Sequence, residues 1–152
     1  MPTLRSVRAP LEMLIVSATV APYPKEAALP GAVRDRCRVP MMIDTGARFS
    51  LVTDTILAQL GVVSIGETDV RTSMQTVETR PAYRIAVGLE FEDEYGEQHV
   101  QSVPLTIIAS PPVTVTVSPG ITLRHEGLLG LDFLQHFRFA YDGPSGEFRL
   151  SW

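Results

Sequence analysis

The sequence predicts a mainly β domain carrying two short helices, and three observations lead there. Apolar residues alternate with polar ones at period two over much of the chain, the pattern of half-buried strands. Twelve prolines and eleven glycines break that pattern at short intervals, which fits turns between strands rather than a helix bundle. At 152 residues the chain has room for one domain with a sizeable core, residues 1–152, and is too short for two of ordinary size. Hydrophobic residues make up 45% and charged residues 20%, which excludes the disordered and fibrous classes.

The elements follow in order. Leu11–Val20 reads as a first strand, and Tyr23–Asp35 as a loop broken by proline and glycine. Arg38–Ile43 is short and apolar, fitting a buried strand that ends at Asp44-Thr45-Gly46-Ala47. A short helix follows Ser50-Leu51-Val52, with Thr53 or Asp54 as its N-cap, Ile56, Leu57 and Leu60 on one face, and Gly61 as its stop. Tyr83, Ile85, Val87, Leu89 and Phe91 alternate with polar or small residues in a half-buried strand; Asp93–Glu97 turns it, and Val103, Leu105 and Ile107 alternate on the return. Val113, Val115 and Val117 alternate with threonines in a further strand. A second helix starts near Asp132 and turns Phe133, Leu134 and Phe137 inward. Phe139 and Tyr141 then lead through Gly143-Pro144-Ser145-Gly146 to Phe148, Leu150 and Trp152 in a closing hairpin.

Charge and cysteine content narrow the function. The net charge is -4, and no basic stripe is present to hold nucleic acid or an anionic membrane. The single cysteine, Cys37, excludes an intramolecular disulfide and a multi-cysteine zinc site, and no histidine placed to activate it is evident. His99, His125 and His136 have no metal-ligand spacing, and His125-Glu126 beside Gly127 reads as surface. Leu11–Ala21 behind Arg5 and Arg8 has the outline of a secretory signal, yet Glu12 interrupts it and prolines bracket it, so a strand and a cytoplasmic setting are expected. No apolar run reaches the length of a membrane-spanning helix.

Asp44 is the chemical focus. Asp-Thr-Gly after a strand is by itself an ordinary turn. Here it follows a fully apolar strand, where an unpartnered charge is costly and is kept mainly for a purpose. Met41-Met42-Ile43-Asp44-Thr45-Gly46-Ala47, with Phe49-Ser50-Leu51-Val52 behind it, resembles the active-site segment of retropepsin-like aspartic proteases. Gly127-Leu128-Leu129-Gly130-Leu131-Asp132-Phe133-Leu134 resembles the motif of two apolar residues, glycine and a short helix near the C-terminus of each such subunit.

The resemblance implies a closed acid-protease β-barrel and an aspartic endopeptidase in which two carboxylates share a proton and activate one water. The chain supplies one such motif, so the implied unit is a homodimer with Asp44 from each subunit. Thr45 would brace the base of the site across the two-fold axis, and Gly46 would let substrate backbone approach. Ala47 completes the loop, and Leu128, Leu129 and Gly130 would pack behind it. A flap hairpin would fall within Asp69–Tyr83, with Arg71, Thr72, Ser73, Met74 and Gln75 on its approach, although no glycine lies between Gly66 and Gly88. The termini, Pro2–Arg8 and Phe148–Trp152, would contribute to the dimer sheet. Arg48 departs from the usual residue at its position, and Asp132 would either pair with it or N-cap the last helix. The expected partners are a second copy and a peptide or protein substrate, with no cofactor and no metal. The alternative is a dimer that binds peptides or proteins with weak or absent proteolysis.

Overall fold

The computed structural model describes residues 3–6, 15–23, 35–72 and 74–152, without the side chains of 3–6, 113–118 and 121–123. In chain order the elements are β1 Thr3–Ser6, β2 Ile15–Pro22, β3 Cys37–Ile43, β4 Leu51–Thr53, α1 Asp54–Leu60, β5 Gly66–Arg71, β6 Val77–Glu92 and β7 Gln98–Ser110. Then come β8 Val113–Ser118, β9 Ile121–His125, β10 Gly127–Leu129, α2 Leu131–Leu134, β11 Arg138–Asp142 and β12 Glu147–Ser151. The mainly β expectation with two short helices holds.

Six strands close a barrel in the order β6-β2-β3-β10-β4-β7, with β7 returning to β6. Alternation explains the long strands. Ile85, Val87, Leu89 and Phe91 of β6 are buried, as are Val103, Leu105 and Ile107 of β7. Gly88 lies where a Cβ would stand 3.0 Å from Ser102 Oγ, so that β7 passes close. Two pairings are parallel, β10 with β3 and β4 with β7. The barrel is capped by α1, whose Ile56, Leu57 and Leu60 are buried, and by α2 with Phe133 and Leu134. The expected α1 stop is Gly61, in the left-handed conformation at φ 64. Thr53 is the N-cap residue without a side-chain capping bond; its hydroxyl goes to Glu126 Oε2 instead, at 2.7 Å.

The structure adds strands that periodicity does not reveal. Strand β6 starts at Val77, six residues before the alternating stretch, and pairs there with β5. β4, β9 and β10 are three to five residues long, too short for a periodic signal. The first strand is described from Ile15; Leu11–Leu14 of its expected span, and the Pro24–Arg34 part of the expected loop, lie outside the described residues.

The chain ends pair with each other inside one molecule. β1 runs antiparallel to β12, Thr3 opposite Ser151 and Ser6 opposite Phe148, while β11 flanks β12 on its other side. Phe148 and Leu150 are buried, and Trp152 meets the Phe91 ring edge-on at 4.2 Å. Leu150→Ala should therefore cost about 2–5 kcal/mol in urea unfolding, against about 0.5 kcal/mol or less for its exposed neighbour, Arg149→Ala. Equal costs would show that β12 does not belong to the core.

Candidate active site

The site is built by a crossing. β10 lies between β3 and β4, parallel to the first and antiparallel to the second. The segment from Asp44 to Ser50 leaves the end of β3 and must bridge β10 to reach β4. Backbone bonds fasten it: Asp44 N donates to Leu129 O at 3.0 Å, Leu131 N to Ala47 O at 2.8 Å and Asp132 N to Arg48 O at 3.2 Å. Ala47 N donates back to Asp44 O at 3.2 Å and closes the turn.

Within that turn the Asp44 carboxylate is only half-buried, with Thr45 and Gly46 exposed beside it. Its Oδ1 accepts from Gly46 N at 2.9 Å. A Cβ on Gly46 would stand 3.2 Å from that oxygen, so glycine keeps the approach to the carboxylate open. The carboxylate is thus oriented from below and accessible from above, the arrangement a general base needs.

The second motif lies directly under the first. Leu129 is fully buried, Leu128 is half-buried opposite Met42 and Leu51, and Gly130 is buried. A Cβ on Gly130 would come within 2.8 Å of Ala47 O and 2.9 Å of Phe49 O, both backbone atoms, so only glycine passes beneath the loop.

A polar clamp fixes the same crossing. Ser50, fully buried, donates its Oγ hydrogen to Asp132 Oδ1 at 2.6 Å and accepts from Gly130 N at 3.0 Å. Ser50 N donates to Asp132 Oδ2 at 3.0 Å, and Phe133 N reaches Oδ1 at 2.8 Å. This corrects both expectations for Asp132. It makes no ion pair with Arg48, whose guanidinium lies 5.4 Å from the centroid of the Phe49 ring, and the N-cap of α2 is Gly130. Three donors already satisfy the carboxylate, whereas an exposed ion pair contributes little. Ser50 was not singled out in the sequence; its partner lies 82 positions away, and only the resemblance of the flanking motifs brings the two together.

The other expected positions are distributed as follows. Arg71 ends β5, and Thr72–Thr76 close a tight hairpin, with Thr72 N donating to Thr76 O and Gln75 N to Thr72 O, each at 2.9 Å. The missing glycine is replaced by Gln75 itself, at φ 61. Met74 is 85% exposed at the tip, and Ser73 lies outside the described residues. His125 is not on the surface: it is buried, and its Nδ1 donates to Gly127 O at 2.9 Å. Buried Cys37 places its Sγ 3.7 Å from Gln59 Oε1. A shallow depression lined by Thr19, Arg36, Arg38 and Glu90 does not include Asp44, and the Arg38–Glu90 ion pair neutralises much of its charge.

Asp93, Glu97 and His99 gather at the β6–β7 turn, their ligand atoms within 4.8 Å of one another. Asp93 is already engaged, accepting from Tyr95 N and Glu97 N at 2.9 Å each and from His99 Nε2 at 2.7 Å. The His99 bond, followed by that of Glu97 N, holds the Asp93 carboxyl below its ordinary range.

The closed barrel, the crossing under Asp44 and the two capping helices define a retropepsin-like fold. The retropepsin-like aspartic protease from Rickettsia conorii superposes with a TM-score of 0.53 at 16% identity, covering 97% of this chain and 89% of that one. Among curated proteins none matches the sequence. The profile of the aspartyl protease family matches residues 29–133, which span Asp44 and Gly130, and the chain belongs to that family.

Gly130→Ala should destabilise the fold by roughly 1–3 kcal/mol, because its Cβ meets unyielding backbone; a variant with wild-type stability would show that the loop can move aside. At the β6–β7 turn, stability from ionised Asp93 is full above the ordinary carboxylate value and is lost as pH falls through the lowered folded value. His99→Ala should therefore raise the pH at which the Asp93 carboxyl titrates by NMR, and an unchanged titration would assign the effect to the backbone donors alone.

Proposed function

We propose that this protein is an aspartic endopeptidase that works as a homodimer, with one Asp44 from each subunit facing across a two-fold axis. The observation that carries the reading is the oriented, half-open Asp44 carboxylate held over Gly130 by the β10 crossing. One chain cannot complete the chemistry. Among its other aspartates, Asp132 is engaged by Ser50, Asp69 by Thr79 Oγ1 and Asp142 by Ser145 Oγ, Asp93 closes the β6–β7 turn, and Asp35 and Asp54 are exposed and outside any Asp-Thr-Gly turn.

With two Asp44 carboxylates a few ångströms apart, like-charge repulsion leaves one protonated. The ionised member takes a proton from a water lying between them, and that water's oxygen attacks the scissile carbonyl carbon. The protonated member donates to the carbonyl oxygen. When the tetrahedral intermediate collapses, the C–N bond breaks and the leaving nitrogen takes a proton from the dyad. Thr45 braces the two loops, Gly46 admits the peptide backbone, and the β5–β6 hairpin around Met74 closes over the substrate.

Asp44→Asn keeps the size and hydrogen-bonding shape of the side chain while removing both titrating groups of the dimer. Cleavage of an unbiased peptide library should fall by at least about 10³-fold with the fold retained. Wild-type cleavage by Asp44→Asn overturns the mechanism. Peptide binding by a wild-type dimer that cleaves nothing at any pH would favour the binding-module reading.

A further inference from the structure

Arg48 is the charged residue nearest to Asp44 along the sequence, and the fold asks little of its side chain. Its backbone is tied into the bridge, Arg48 O accepting from Asp132 N at 3.2 Å. The side chain is exposed and makes no hydrogen bond or ion pair among the described residues. Its guanidinium lies over the Phe49 ring, 5.4 Å from the centroid, and that ring is itself 50% exposed. Such a contact holds the planar group by one face and leaves its five N–H donors free. The acceptor closest in the chain's own design, Asp132, is already taken by Ser50 and Phe133 N. A guanidinium so placed suits a carboxylate from outside the chain, which it can grip through two parallel N–H···O bonds.

The turn sets where along a peptide that carboxylate comes. Asp44 to Ala47 is a closed β-turn, so the two Cα atoms lie within about 7 Å, and Arg48 is one step of about 3.8 Å further. An extended peptide advances about 3.3 Å per residue, which puts Arg48 no more than about three residues from the bond that Asp44 attacks. An acidic side chain at the bond itself meets the Asp44 pair, of like charge, so the favourable positions lie just beyond it. The β5–β6 hairpin adds charge of the same sign as Arg48. Arg71 at the end of β5 is exposed and unpaired among the described residues, and no acidic residue lies from 72 to 77. The nearest acids of that hairpin are engaged, Asp69 by Thr79 Oγ1 and Glu78 by Arg80 at 3.4 Å. The chain as a whole carries -4 and repels an acidic peptide, so any attraction is local to these guanidiniums.

We propose that Arg48 selects peptides carrying an acidic side chain two or three residues from the scissile bond, and that the two Arg48 side chains of the dimer impose this on both sides of it. The proposal rests on the endopeptidase reading above and names its substrate class.

The test takes a peptide cleaved from an unbiased library and remakes it with Glu, Gln or Lys at those positions. For the wild type, kcat/KM should be higher for the Glu peptides than for the Lys peptides by about tenfold or more. Arg48→Gln should remove most of that ratio. Arg48→Glu should invert it, which a misfolded or merely weakened enzyme cannot do. Binding of the same peptides to the Asp44→Asn protein, read by fluorescence anisotropy, should follow the wild-type order. The proposal is overturned if the wild type cleaves Glu and Lys peptides alike, or if the ratio survives both Arg48 substitutions; the Asp44 mechanism then stands with a different source of specificity. It is also overturned if both Arg48 variants sediment as monomers where the wild type is dimeric, because Arg48 then belongs to the subunit contact. A wild type that neither cleaves nor binds any of these peptides overturns the endopeptidase reading and this one with it.

Discussion

The three residues of β10 carry the architecture. By entering between β3 and β4, Gly127–Leu129 closes the barrel and forces the Asp44 segment into a bridge. The strand is too short to hold this position by ladder bonds alone, and both of its ends are tied. At the entrance Glu126 N donates to Pro40 O at 2.8 Å, Thr53 N donates to Glu126 O at 3.0 Å, and the Thr53 hydroxyl reaches the Glu126 carboxylate. At the exit Ser50 and Asp132 form the other clamp. Both clamps join residues more than seventy positions apart and lie largely out of water, where satisfied polar networks rigidify and an unsatisfied partner is costly.

Glycines at the two ends of β10 serve the same crossing. A Cβ on Gly127 would lie 2.6 Å from both Leu51 O and Met41 Cε, and one on Gly130 would strike the Asp44 bridge. Neither role depends on a left-handed backbone. Both depend on the space a side chain would occupy, so the strand between two neighbours is narrow at each end. The chemistry above it then needs little more than Gly46 N to orient Asp44.

How much of this was legible in the sequence depends on the range of each interaction. The long alternating strands β6 and β7, the α1 face with its Gly61 stop, and the closing hairpin express local periodicity and turn chemistry. Asp44 and Gly130 stood out because their flanking residues form a known pair of motifs. β5 is reached only through the hairpin expected within Asp69–Tyr83, because its one apolar residue, Val70, is too little to mark a period. The Arg48–Asp132 pairing failed for a related reason. Charge suggested it, but short-range geometry decided otherwise, giving Asp132 to a buried serine and two backbone N–H groups and leaving Arg48 against the Phe49 ring. His125 read as surface because hydropathy does not register a single bond to Gly127 O.

The order in which the chain is made acquires a meaning from the same crossing. Asp44, Ser50 and the bridge between them belong to the first third of the sequence, while the strand that lies beneath them and the carboxylate that holds Ser50 come some eighty residues later. Contacts of such long sequence separation form slowly and late in folding. A chain growing from its N-terminus exposes the Asp44 motif long before Gly130 emerges, and until then nothing lies beneath the loop to fix its position in the fold. The finished geometry around Asp44 is thereby deferred until β10 and Asp132 have emerged, so the motif alone does not build the site and topology sets when it forms.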